Sequence, residues 1–239
     1  MPNDTLSIEK MKIAQERYEN YLIDHIPDDA KKILDIGCGT GALIKKLTAI
    51  GYDTEGLSPD KNQKNLLSKT KEIVFHHSKF DDFHCDQKYD CLIMSESCQY
   101  ININKVFDNS SLALKEGGHL MICDYFVFNK SSDLMGKSGH PYKAFMELAK
   151  EKGFSVEFEE DITDSILKTL DFSKNIAERA IIGFHIGTEK TKERHPYLYK
   201  LCSWMLRKPI KKIKSQLKLL DSSEFKKHKT YQFILFKKI

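Results

Sequence analysis

The chain has 239 residues, 41% of them hydrophobic and 10% aromatic, enough for one substantial core and near the upper end of what a single domain holds. Its 38 basic residues against 34 acidic ones leave a formal charge of +4, too mild a surplus to specify a nucleic-acid binder. No apolar run approaches the roughly 18 to 20 residues that span a bilayer, and acidic residues stand where a signal peptide is apolar, so a cytoplasmic protein without a membrane span is expected.

Ile8, Met11, Tyr18, Leu22 and Ile26 recur at helical spacing among charged residues. This predicts an amphipathic helix that ends near Pro27 and covers the body of the protein. Residues 31–36 form a short apolar strand that runs into Gly37-Cys38-Gly39-Thr40-Gly41, after which Ala42, Leu43, Leu47 and Ile50 resume a helical period. Strands follow at 53–57, 73–76, 89–94 and 119–125, alternating with helices from about Asp60 and around 106–114. Such alternation predicts a parallel sheet covered on both faces.

Residues 130–139 read as a polar loop, and 141–152 as a helix closed by Gly153 in the left-handed position that favours glycine. Another strand is expected at 154–158. From about 163 to 229 the pattern is mostly helical, and 230–236 then returns to period two as the closing strand. The chain thus divides into a helical cover (1–29), a core (30–162), a helical insertion resembling a lid (163–229) and a last strand (230–239), all one domain. The six cysteines form no C-x-x-C pair and have no histidines at zinc-finger spacing, so no metal site is expected and most thiols should be reduced and partly buried.

The turn after the first strand is the most informative stretch. Glycines there let the backbone turn tightly and let a ligand approach beside the positive end of the next helix. Gly37-x-Gly39-x-x-Ala42 fits a loose dinucleotide fingerprint, so an NAD-dependent oxidoreductase is one reading. That reading expects an acidic residue after the second strand for the ribose, where this chain has Ser58, with Asp60 nearby. Asp35 adds a second criterion: a carboxylate at the end of a buried strand needs a partner, and a ligand ammonium would serve.

Leu34-Asp35-Ile36-Gly37-Cys38-Gly39-Thr40-Gly41 resembles the first motif of the class I S-adenosylmethionine-dependent methyltransferases. The resemblance continues through Tyr89-Asp90-Cys91-Leu92-Ile93-Met94 and Leu114-Lys115-Glu116-Gly117-Gly118-His119-Leu120, and covers roughly residues 30–160. It implies a Rossmann-like doubly wound sheet, mostly parallel with an antiparallel last strand. It also implies that S-adenosyl-L-methionine is the cofactor, its methionine end held by Asp35, Gly37, Cys38, Gly39 and Gly41. Many family members carry acids at the positions of Ser58 and Lys79; here Asp60 and Gln63 are the substitutes at the ribose, and Phe80 and Asp81 the lining at the adenine. Ser95 and Glu96 complete the expected cofactor contacts.

Methyl transfer from a sulfonium is an in-line displacement, so the protein has chiefly to align the acceptor and exclude water. An acceptor that must lose a proton needs a base above the carboxyl ends of the strands. Glu96, Gln99 and Tyr100 follow the fourth strand and are first choices for the pocket. Asp124-Tyr125 ends the fifth strand, and His140, opening the next helix across the same rim, is the best single base. Arg179, His185, Arg194, His195, Tyr197 and Tyr199 in the insertion are unranked. Ile210, Ile213, Leu217 and Leu220 oppose a basic face of Arg207, Lys208, Lys211, Lys212, Lys214 and Lys218, which reads as a solvated lid face, with an acidic substrate or anionic membrane surface as the alternative. A small-molecule acceptor is favoured over nucleic acid, since neither an Asn-Pro-Pro-Tyr type motif nor a Pro-Cys nucleophile is present. The remaining alternative is a non-catalytic cofactor-binding interaction protein.

Overall fold

A computed structural model describes residues 8–67, 73–85, 89–194, 197 and 217–239. His195, Tyr199 and the basic residues 207–214, with Ile210 and Ile213, lie outside the described residues, as do the side chains of Ile8, Met11, His185 and Arg194.

Eight strands form one sheet: β1 (Lys32–Ile36), β2 (Asp53–Leu57), β3 (Val74–His76), β4 (Tyr89–Ser95), β5 (Leu114–Val127), β6 (His140–Pro141), β7 (Phe154–Asp161) and β8 (Lys229–Lys238). Their order is β3-β2-β1-β4-β5-β8-β7, with β6 attached to β5. All pairings among β1 to β6 are parallel, whereas β8 runs antiparallel to both β5 and β7. The order reverses between β1 and β4, and a doubly wound sheet opens a crevice for ligands at that point.

Among the described residues the α-helices are α1 (Ile8–Asp24), α2 (Ala42–Ala49), α3 (Lys61–Leu67), α4 (Ile103–Ala113), α5 (Tyr142–Glu151), α6 (Thr163–Arg194) and α7 (Ser222–His228). One sheet face buries Leu34, Leu92, Ile122 and Phe236 against Phe107 of α4 and Phe145 of α5. The other buries Ile33, Ile93, Cys123 and Phe233 under Leu22 of α1, Leu47 of α2 and Phe225 of α7. The alternation along each strand thus serves two cores, as expected when helices cover both faces.

Helix starts follow local chemistry. Asn102 accepts the Asn104 amide at 3.0 Å before α4, and Asp221 accepts those of Ser223 and Glu224 at 3.1 Å before α7. Such caps satisfy amides that the first turn leaves unpaired. Gly153, with φ of 79°, closes α5 in the left-handed conformation. The edge strand β7 exposes a run of carboxylates, Glu157, Glu159, Glu160 and Asp161, which discourages pairing with a further strand. Two features are absent from the sequence reading: the bridge His140–Pro141, placed there at the opening of a helix, and the extension of β5 on both sides of 119–125.

Candidate functional site

The strand β1 delivers Asp35 to the crevice. Its carboxylate is only 3% exposed, and burial alone pushes its pKa up to about 7, with no cation or hydrogen-bond donor among the described residues to hold it down. The turn that follows has Gly37, Gly39 and Gly41 all at positive φ. At Gly37 a Cβ would lie 2.4 Å from that of Ser97, so packing demands glycine there, whereas at Gly41 it would lie 2.6 Å from Leu67 Cδ2, the end of a side chain that would have to shift. At Gly39 nothing stands within 4 Å, and the space a side chain would take is open. An unpaired buried carboxylate beside an open glycine cradle fits a ligand that brings an ammonium close to backbone. Cys38 is buried against Ile44 and Leu67, and burial pushes its thiol up to about 12, so it acts as an apolar wall.

Beyond β2, Ser58 is buried and its Oγ accepts the Asp60 amide at 3.2 Å. Asp60 in turn accepts the amides of Asn62 and Gln63 at the start of α3. Gln63 Oε1 is buried without a hydrogen-bond partner, and a ligand hydroxyl would satisfy it. Phe80 is packed into the core, its carbonyl accepting from Asn109, while Asp81 accepts the Asn102 amide.

At the end of β4 the chain turns sharply. Ser97 Oγ donates to the Ile36 carbonyl at 2.5 Å, tying this turn to the glycine loop. Glu96 sits at φ of 55°, a left-handed conformation uncommon for a non-glycine residue and found preferentially at functional sites. Tyr231 from β8 donates to Glu96 Oε1 at 3.0 Å, and the Tyr18 hydroxyl of α1 meets Ser95 Oγ at 2.6 Å. Both phenols are held well above their usual range, chiefly by burial, so they remain protonated donors. Tyr100, at 81% exposed, stands open at the rim.

Three residues before the end of β5, Asp124 is buried and accepts the amides of Gln99 and Tyr125 at 3.1 and 2.8 Å; burial still carries it up to about 7. His140 lies across the same rim, stacked on Phe145, with Nε2 at 3.0 Å from the Cys98 carbonyl. A carbonyl only accepts, so Nε2 carries the proton and Nδ1 is left as the basic atom. Burial lowers the pKa of His140, which keeps it neutral. The structure thus gathers Asp35, the glycine loop, Ser95, Glu96, Tyr100 and His140 along one edge of the sheet. Tyr18, Tyr231 and Lys229 join them, although the sequence does not mark them for the site. Tyr18 shows only helical spacing, and nothing local distinguishes a tyrosine or lysine of the last strand.

Residues 12–158, more than half of the chain, match the family described as Methyltransferase domain. An uncharacterized methyltransferase of Bacillus cereus is 22% identical over 174 residues, which is 71% of this chain and 76% of that protein. Among solved structures, the geranyl diphosphate C-methyltransferase of Streptomyces coelicolor A3(2), in complex with S-adenosylhomocysteine, has a TM-score of 0.68 at 13% identity, over 99% of this chain and 85% of its own. The O-methyltransferase from a trans-AT PKS multienzyme of Brevibacillus brevis, also in complex with S-adenosylhomocysteine, has a TM-score of 0.64 at 16% identity, over 100% of this chain and 81% of its own. Likeness at such identities establishes the fold, which hosts many chemistries. The match to the family, running from α1 into β7 with the glycine loop inside it, places the chain in the methyltransferase domain family, enzymes that draw their methyl group from S-adenosylmethionine.

Proposed function

We propose that the protein transfers a methyl group to a small-molecule acceptor, and that Asp35 and the glycine loop hold the methionine end of the cofactor. The buried, unpartnered carboxylate of Asp35 beside the open space at Gly39 is the observation that carries this reading. Bound S-adenosylmethionine supplies a sulfonium whose methyl group is already activated for displacement.

The chain's own residues bind, orient and exclude water. Asp35 compensates the ligand ammonium, and Gln63 Oε1 accepts from a ribose hydroxyl, with Ser58, Asp60 and Phe80 shaping that side. Tyr18 and Tyr231 reach over from α1 and β8 to fix Ser95 and Glu96. The family match ends at residue 158, so Tyr231 lies outside it. An acceptor that must lose a proton has two bases within reach of the rim: the Glu96 carboxylate, held in its strained turn, and Nδ1 of neutral His140. Exposed Tyr100 offers a ring face to the acceptor.

Titration calorimetry with S-adenosylmethionine, S-adenosylhomocysteine and NADH tests the reading. Micromolar binding of the first two and none of NADH is expected; binding of NADH alone would overturn it. A cofactor-binding chain that releases no S-adenosylhomocysteine with any member of a broad metabolite panel would instead be an interaction protein.

A further inference from the structure

Lys229 opens β8 opposite Val127, at the edge of the sheet where β5 ends. Only 4% of its surface meets solvent. Its Nζ lies 3.8 Å from the centroid of the Tyr125 ring and donates to Ser138 Oγ at 3.2 Å. Among the described residues no carboxylate forms an ion pair with it. An ammonium buried against a ring face and a hydroxyl keeps most of its charge uncompensated, which is unfavourable unless a counter-charge arrives. Burial is the dominant influence and draws the amine down to about 8; Asp124 pulls the other way from farther off, and Lys130 adds to the lowering. The group therefore remains a cation at neutral pH.

The neighbouring acids have other partners, and two of them, Asp161 and Asp164, line the cavity beside Lys229 together with the further cation Lys226. Asp124 accepts two backbone amides, Asp161 accepts from Thr163 and Thr230, and Asp164 is paired with Lys226 at 2.7 Å. Residues 198–216 include six lysines and arginines and no Asp or Glu, so that stretch brings no counter-charge either. Lys229 also lines a cavity of about 240 Å³ with Phe128, Asp161, Thr163, Asp164, Lys226 and Thr230. That is room for a small charged group, below the ~300–1,000 Å³ of drug-sized sites. Neighbouring strands stand about 4.8 Å apart and β8 lies two places along from β4, while the register sets Lys229 about three residues beyond the level of Glu96, so the two are roughly 14 Å apart along the backbone frame. A metabolite of modest length spans that gap.

We propose that the methyl acceptor carries a carboxylate or phosphate and that this anionic group binds at Lys229. The inference rests on the methyltransferase reading above, and it adds the substrate class. The neutral partners of Lys229 suit an incoming anion, since Ser138 Oγ accepts from both Lys229 and Tyr125 and its own hydroxyl hydrogen is left to donate, while the Tyr125 ring holds the amine.

The test uses the full chain saturated with S-adenosylhomocysteine. Thermal melts in inorganic phosphate and in acetate, each against chloride at equal ionic strength, are compared for wild type, Lys229→Arg and Lys229→Met. A rise of about 2 °C or more in wild type and Lys229→Arg, absent from Lys229→Met, is expected. A response to phosphate alone identifies a phosphorylated acceptor, and one to acetate alone a carboxylated one. No response in wild type, or an equal response in all three, overturns the proposal. If Lys229→Met does not fold, slower acylation of the wild-type Lys229 amine in phosphate or acetate, read by mass spectrometry, supports the proposal, and an unchanged rate refutes it. In activity screens, anionic acceptors should outpace their esters or parent alcohols more than tenfold, and a preference for the neutral forms would contradict the assignment. Failure of S-adenosylhomocysteine to bind would strike the cofactor reading, while the anion response is still read from the same melts.

Discussion

Asp35 shows how one residue couples stability to binding. Its carboxyl has an ordinary value of 3.8 and about 7 in the folded chain. Between about pH 4 and 7 the folded state therefore holds more protons than the unfolded one, and the stability of the ligand-free protein falls as pH rises through that window, levelling off above it. Asp124 contributes in the same direction. Asp35→Asn removes one of the two, so its melting temperature relative to wild type should climb between pH 4 and 7; a difference independent of pH would contradict the assignment. A ligand ammonium reverses the preference by stabilising the carboxylate, so wild-type affinity for S-adenosylhomocysteine should weaken below pH 7, by up to about tenfold per pH unit. Asp35 is legible in the sequence because its meaning is local: a charge closing an apolar strand before a glycine turn. Tyr18, Lys229 and Tyr231 are not legible there as site residues, because their meaning depends on partners brought together by the fold: Tyr18 with Ser95 across 77 residues and Tyr231 with Glu96 across 135.

At the scale of elements, the β1-loop-α2 unit divides its glycines by role. Gly37→Ala drives a Cβ into that of Ser97 and adds left-handed strain, so it should destabilise the chain by more than the ~1–2 kcal/mol that strain alone costs. Gly39→Ala meets no neighbour and bears only the strain, so denaturant melts should show a folded protein while calorimetry shows cofactor affinity lost. Equal losses of stability in the two variants would argue that both glycines serve packing alone. Strand and helix alternation is readable from periodicity, since each element is apolar on the face it buries. Periodicity says less where the sheet itself decides. Residues 229–236 are buried throughout because β8 lies between β5 and β7 with helices on both sides, a placement that no period within the strand reveals. The bridge at His140–Pro141 is two residues long and exists only because β5 passes alongside.

Over the whole molecule, the site is assembled from both ends of the chain. Tyr21 of α1 and His25, just beyond its end, pack their rings on Phe233 of β8, and His25 also meets Phe158 of β7. The first helix is thereby seated on β8, the strand that carries Tyr231 and Lys229. Leu22, at 1% exposed, lies beneath that seat, and Leu22→Ala should cost about 2–5 kcal/mol in denaturant unfolding. A loss below about 1 kcal/mol would mean that α1 is a loose cover rather than part of the core. Composition and net charge have little to say about the acceptor, because a total of +4 does not say where a charge sits, whereas the cation that bears on the acceptor is one buried amine. The most direct measurement of the central claim is calorimetric titration of S-adenosylhomocysteine into wild type and Asp35→Asn at pH 8. Micromolar binding by wild type and a loss of at least tenfold in the folded variant are predicted, whereas equal affinities would show that Asp35 does not hold the cofactor.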